Sequence, residues 1–182
     1  MPRLILVRHG RAAAGWGEDL DPGLDELGRA QAQAMADGLA ELGPMPIVVS
    51  PLRRTRETAA PLEARWGVDA RVEPAVGEVR SPSADLAERT AWLRVFMLST
   101  WDQQPPELHE WRRRLIDALV ALEEDTIVVS HFVAINVAAG FATGDQRVTS
   151  FAPDNCSRTT LISDGSGLTL VEAGAQADTR VL

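Results

Sequence analysis

Two short apolar runs, each ending within two residues of a histidine, constrain this chain more than any other feature. Leu4-Ile5-Leu6-Val7 runs directly into Arg8-His9-Gly10, and Ile127-Val128-Val129 runs through Ser130 into His131. Runs this short and rich in β-branched residues, bounded by polar or glycine positions, are the pattern of strands buried on both faces of a parallel sheet. In open α/β sheets the ligand crevice lies outside the carboxyl ends of the strands. Two of the three histidines therefore stand where binding or catalysis is expected, and the third, His109, lies in a helical pattern and reads as structural or exposed.

Other segments extend the same alternation. Candidate strands cover residues 3–7, 46–49, 70–73 and 126–129, separated by longer helical patterns, which predicts an α/β fold with a mainly parallel sheet. Between the first two strands Leu27, Ala30, Ala34, Leu39 and Leu42 recur at helical spacing, with Asp25 as N-cap and Gly43-Pro44 as stop. Ser50 is read as the cap of the next helix, with Pro51 in its first turn, where a missing N–H costs nothing. A further helix is predicted over 107–122 with Trp111, Leu115, Leu119 and Leu122 inward and Arg112, Arg113 and Arg114 mostly solvated. Near the end, residues 158–163 and 167–172 flank Asp164-Gly165 and predict an antiparallel hairpin at the sheet margin. Residues 79–106 read as an excursion over the strand ends, with Trp92, Val95, Phe96 and Trp101 open to core or interface roles.

With 182 residues the chain suits one domain over residues 1–182 with a full core. The formal net charge of -8 disfavours general binding to nucleic acid or anionic membranes, which needs a basic face. All 18 basic residues are arginine, which excludes Walker-type phosphate binding and Schiff-base chemistry, because both need lysine. Cys156 is alone, so no intrachain disulfide forms, and Pro2-Arg3 followed by only four apolar residues is too little for a signal-peptide core. A cytoplasmic location is the expectation.

The positions following the strands carry a coherent chemistry. They are Arg8 and His9, then Arg53 and Arg54, then Glu78, then His131. Guanidinium forks match phosphate oxygens, and a helix starting near Pro51 adds its positive N-terminal dipole, so the expected ligand is a phosphate group. An imidazole among arginines is held neutral and is competent to attack phosphorus. Arg53 and Arg56 read as solvated helix residues, and Arg11 stands between a substrate and a surface role. Cys156 is not a phosphatase nucleophile, since cysteine-dependent phosphatases need an arginine six residues on, where Ile162 stands.

These segments resemble a known family. Leu6-Val7-Arg8-His9-Gly10 is similar to the signature of the histidine phosphatase superfamily, also called phosphoglycerate mutase-like. The stretches 21–32 and 50–59, Val128-Val129-Ser130-His131 and Asn155-Cys156-Ser157 resemble further family segments in the same order. The resemblance implies a three-layer α/β/α sandwich and a phosphomonoesterase that uses no cofactor and no metal. It implies His9 as nucleophile forming a phosphohistidine, Arg8, His9, Arg54 and His131 as phosphate-binding residues, and Glu78 as proton donor, with Glu73 the competing carboxylate. The partner is a small phosphorylated substrate. The alternatives are a phosphoglycerate mutase and a non-catalytic phospholigand sensor. Arg11, Phe132 and Val79-Arg80-Ser81-Pro82 depart from the family pattern.

Overall fold

The computed structural model describes residues 1–15 and 18–177. Its chain order is β1 (Arg3–Arg8), α1 (Glu26–Leu39), β2 (Ile47–Val49), α2 (Arg53–Trp66), β3 (Arg71–Val72), α3 (Leu86–Met97), α4 (Pro106–Val120), β4 (Thr126–Ser130), α5 (Phe132–Thr143), β5 (Arg158–Ser163) and β6 (Leu168–Glu172). The strands form one sheet in the order β3-β2-β4-β1-β5-β6. β3, β2, β4 and β1 run parallel, and β5 and β6 close the margin antiparallel. The expected mainly parallel sheet with an antiparallel margin is what the chain builds.

Strand periodicity divides the core into two. Leu4, Leu6, Val48, Val128 and Leu161 point to one face, where α3, α4 and α5 cover them through Phe96, Leu115, Leu119, Ile135 and their neighbours. Ile5, Val7, Ile47, Val49, Ile127 and Val129 point to the other, against Met35, Ala36 and Leu39 of α1 and Ala59 and Leu62 of α2. The central strands are apolar at every position because successive side chains enter opposite layers. The result is the three-layer sandwich.

Local signals hold at several ends. The Asp25 side chain caps α1 by accepting the Gly28 N–H at 2.7 Å, and Gly67 and Gly144 end α2 and α5 in the left-handed conformation that suits glycine. On α4, Leu115 and Leu119 are buried with Trp111 and Leu122 packed beside them, as expected. The expected face of α1 holds at Leu39 and is wrong elsewhere. Leu27 is 46% exposed and Ala30, Ala34 and Leu42 also face solvent, whereas Gly28, Ala32, Met35, Ala36 and Leu39 are buried. Small residues were selected because backbones touch here: a Cβ on Gly28 would lie 2.1 Å from the Arg11 carbonyl oxygen. The third strand is shorter than expected, at two residues.

Residues 79–106 contain α3 and a 3-10 turn, Trp101–Gln103. Trp101 and Phe96 enter the core with ring centroids 6.0 Å apart, Trp92 stacks on Phe96 at 4.8 Å, and Val95 is 72% exposed. Among the described residues no helix is long and apolar enough to cross a membrane.

Candidate active site

Arg8, His9, Arg54, Glu78 and His131 are all buried, each less than a tenth exposed, at the carboxyl end of the parallel strands. Arg8 ends β1, where its Nη1 donates to the Pro153 carbonyl at 2.8 Å and its guanidinium lies 5.2 Å from the centre of the Phe132 ring. Burial lowers its pKa, opposed by the negative fields of Glu78 and Asp154. Arg8 Nε is buried with no partner, so it retains a donor for a ligand.

His9 follows immediately. Its backbone N–H donates to Ser130 of β4 at 3.0 Å, and Asn155 Nδ2 donates to its carbonyl at 2.9 Å. Nδ1 lies 2.7 Å from the Gly10 carbonyl, an acceptor only, so the Nδ1 proton is fixed there and Nε2 carries the lone pair. Arg54 Nε donates to that Nε2 at 3.2 Å. Burial first, then the charges of Arg54 and Arg8, drive the imidazole pKa well below its ordinary value, so the ring is neutral at physiological pH. The loop beyond is pinned by the Gly10 N–H donating to Thr58 Oγ1 at 2.9 Å. A Cβ on Gly10 would meet the Gly28 carbonyl oxygen at 2.6 Å, so only glycine fits.

Arg54 enters from the first turn of α2. Neighbouring Arg53 pairs with Glu57 and Arg56 is solvated, as the sequence reading expected. The predicted cap is corrected: α2 begins at Arg53 with Leu52 before it, and Ser50 does not cap the helix. Its hydroxyl instead meets His131 Nε2 at 2.7 Å, a tertiary contact that local sequence does not carry.

His131 closes β4 and precedes α5, wholly buried, with its ring 5.3 Å from that of His9 at 61°. Burial, then Arg54, His9 and Arg8, push its pKa well down. Glu78 reaches the amino end of α5, where Oε2 accepts the Val133 N–H at 3.1 Å and Oε1 accepts its neighbour Val79 N–H at 3.0 Å. Burial outweighs these bonds and the field of Arg54, so its carboxyl is shifted upward and holds a proton to higher pH than an ordinary glutamate. A cavity of about 980 Å³ opens onto Arg54 and Glu78, walled by Leu52, Val79, Ala84 and Trp111 among others. Glu73, the competing carboxylate, lines the same cavity, where it accepts from Ala75 N–H at 3.1 Å and pairs with Arg71.

Arg11 pairs with Asp25, and His109 is exposed. Burial pushes the Cys156 thiol up to about 12, so it is no nucleophile. Its backbone matters more: at φ 57°, unusual for a non-glycine residue, it donates its N–H to the Arg8 carbonyl at 2.9 Å and presents Asn155 to His9. Ser50, Thr55, Thr58 and Asn155 build the site without carrying charge, and Asn155 lies in the Asn155-Cys156-Ser157 segment of the family resemblance. The polar run after β2 was the available signal for the first three.

A sequence profile of the histidine phosphatase superfamily (branch 1) matches residues 4–176. A glucosyl-3-phosphoglycerate phosphatase of Mycobacterium tuberculosis is 41% identical over 80 residues, 42% of this chain and 36% of the relative. The match thus spans about a third of that relative's length. A probable phosphoglycerate mutase of Erwinia tasmaniensis is 28% identical over 156 residues, 75% of this chain and 73% of the relative. The structure of a mycobacterial glucosyl-3-phosphoglycerate phosphatase in complex with VO3 superposes with a TM-score of 0.75 at 26% identity, covering 97% of this chain and 100% of that one. The chain belongs to the histidine phosphatase superfamily.

Proposed function

We propose that this protein is a metal-independent phosphomonoesterase of the cytoplasm that hydrolyses a small phosphorylated metabolite through a phosphohistidine on His9. The observation that carries the reading is the tautomer and charge of His9: Nδ1 is committed to the Gly10 carbonyl, and a buried neutral Nε2 faces Arg54. The family, and a related phosphatase whose structure holds an oxyanion, support it.

The chemistry follows from the residues. A phosphoryl group entering beside Arg8 and Arg54 takes over the Arg54 guanidinium, freeing the Nε2 lone pair. Nε2 attacks phosphorus as the P–O ester bond breaks, and Glu78, kept protonated by burial, gives its proton to the departing alkoxide. Water then attacks the phosphohistidine while the Glu78 carboxylate takes a proton from it, restoring both groups and releasing inorganic phosphate. Arg8, Arg54 and His131 stabilise the charge on the equatorial oxygens in both steps.

The test is hydrolysis of an aryl phosphate and a panel of phosphorylated metabolites, glucosyl-3-phosphoglycerate and 3-phosphoglycerate among them, in EDTA, with wild type and His9→Ala. Release that disappears in His9→Ala, with an acid-labile phosphoryl-enzyme trapped only in wild type, is the expected result. Turnover that survives His9→Ala overturns the assignment. The relative of 28% identity gives the mutase alternative one observation, and isomerisation of 3-phosphoglycerate exceeding phosphate release would select it.

A further inference from the structure

The hydroxyls of Ser50 and Thr55 lie between α2 and His131, and neither is used by the mechanism above. Both residues are fully buried, so each proton must have a partner inside the protein. Thr55 Oγ1 lies 2.7 Å from the Leu52 carbonyl and 3.0 Å from the Ser50 carbonyl, neither of which can donate. Its proton therefore goes to a carbonyl, and a lone pair faces Ser50 Oγ at 3.0 Å. Ser50 Oγ accepts the Leu52 N–H at 3.2 Å and touches His131 Nε2 at 2.7 Å. It has one proton to give, either to Thr55 Oγ1 or to His131 Nε2.

The two arrangements are not equivalent. With the proton on Nε2, Ser50 would leave its contact with Thr55 holding no hydrogen, and a neutral His131 would carry its own proton on Nδ1, which is buried without a partner. A buried donor with no acceptor is costly. With the proton on Thr55, Ser50 accepts from Nε2–H, every hydroxyl bond is satisfied, and Nδ1 keeps only a lone pair. That state cannot donate to a phosphoryl oxygen until Nδ1 gains a proton.

We infer that Ser50, with its proton held by Thr55, is a positioning residue that accepts from His131 Nε2–H and so makes His131 take up one proton at Nδ1 when a phosphate group binds. The inference rests on the phosphate-site reading above. The phosphate group binds as its dianion, and solvent supplies the proton. The resulting imidazolium donates Nδ1–H to a phosphoryl oxygen and Nε2–H to Ser50. Arg54 of α2, Arg8 at the end of β1 and His9 just after it all oppose positive charge on His131, and the Glu78 carboxyl, bonded to the Val133 N–H at the amino end of α5, is an acidic group of the same site. The phosphate dianion reverses that balance.

The experiment is ¹⁵N NMR of the histidine rings, with calorimetric proton uptake, in the free protein and with inorganic phosphate. Neither readout needs turnover, so failure here is separable from failure of the His9→Ala assay. The expected free state has the proton of His131 on Nε2, and phosphate protonates both nitrogens with uptake of about one proton. Thr55→Val releases the Ser50 proton to Nε2, which moves the His131 proton to Nδ1 and removes the uptake. Ser50→Ala takes away the acceptor and weakens phosphate binding about ten- to a hundredfold, the range for a lost charge-assisted bond. A free wild-type protein with its His131 proton on Nδ1, or an unchanged tautomer in folded Thr55→Val, overturns the inference. Unchanged phosphate binding in folded Ser50→Ala overturns it too.

Discussion

His9 is held by backbone and side-chain bonds with Ser130, Asn155, Gly10 and Arg54, whereas residues 79–106 give the core only a few large side chains such as Phe96 and Trp101. Most of that segment's surface is solvated, with Leu98 90% exposed. The strand ends have discrete hydrogen-bonded positions and backbones in contact, so a group there cannot shift without breaking a bond. The segment beyond Glu78 is fastened mainly at its far end, where Trp101 N–H donates to Gln146 and Val148 N–H donates to Ser99. In the proposed mechanism the phosphoryl chemistry sits on the strongly bonded part, and the cavity beside it is walled partly by the segment beyond Glu78, through Val79, Arg80 and Ala84, and partly by Leu52 and Trp111.

The largest expected effect lies at the boundary of the two regions. Glu78→Gln removes the transferable proton and, because an amide nitrogen cannot accept, keeps only one of the bonds from Val133 and Val79; it lowers kcat for alkyl phosphates by about 10²–10⁴. Aryl phosphates, whose leaving groups need little protonation, lose far less. The pH profile has a definite sense. Activity falls on the acid side as His9 protonates below its depressed pKa, and on the alkaline side as Glu78 deprotonates above its raised one. In Glu78→Gln the alkaline limb for alkyl esters disappears. Equal losses on both ester types would remove Glu78 from the acid role and make it a brace for α5.

Next in size is Gly28→Ala, which tests whether the strand-end region is as unyielding as its contacts imply. Alanine in a helix is ordinarily worth about 1 kcal/mol over glycine. Here its Cβ meets the backbone of Arg11 at 2.1 Å, and overpacking of about 1–3 kcal/mol opposes the gain. We expect net destabilisation, read as a lower Tm, with a fall in kcat because Gly10 packs against the same turn. A more stable variant would show that the loop after His9 has slack.

Ala84→Trp addresses the other side. Ala84 is exposed on the cavity wall, so the added ring narrows the space without entering the core. kcat/KM for esters with bulky leaving groups should fall up to about tenfold, equivalent to about 1.4 kcal/mol, while a small ester is turned over within twofold of wild type. If small and bulky esters suffer alike, the cavity is not where the leaving group lies.

The same division explains what could be read without coordinates. β1 and β4 were legible because a strand covered on both faces is apolar at every position, and the residues that follow it inherit a defined place. Glu78 followed from the strand before it, although that strand is only two residues long. The buried face of α1 was not legible, because the choice of Gly28, Ala32 and Ala36 over Leu27 reflects how closely a neighbouring loop approaches. Ser50 looked like a cap since serine after a strand and before a helix usually is one. Its hydroxyl is taken by His131, 81 positions away, and no local pattern encodes that. α3 escaped notice because its burial rests on Leu93 and Phe96 while Val95 and much of its remaining surface meet solvent.

Val95→Ser is the smallest expected effect and the sharpest control on the comparison. Val95 is 72% exposed on α3 and takes no part in the core, so removing its apolar surface should change stability by less than about 0.5 kcal/mol. Serine costs a helix interior little relative to valine, and no hydrogen bond is lost. If α3 is held by Leu93 and Phe96 alone, Tm and kcat/KM stay at wild-type values for every ester tested. A marked fall in kcat/KM with Tm unchanged would mean that the exposed face of α3 meets the substrate or a second copy of the chain during turnover, and the outer segment would then share in the chemistry rather than only shape the space beside it.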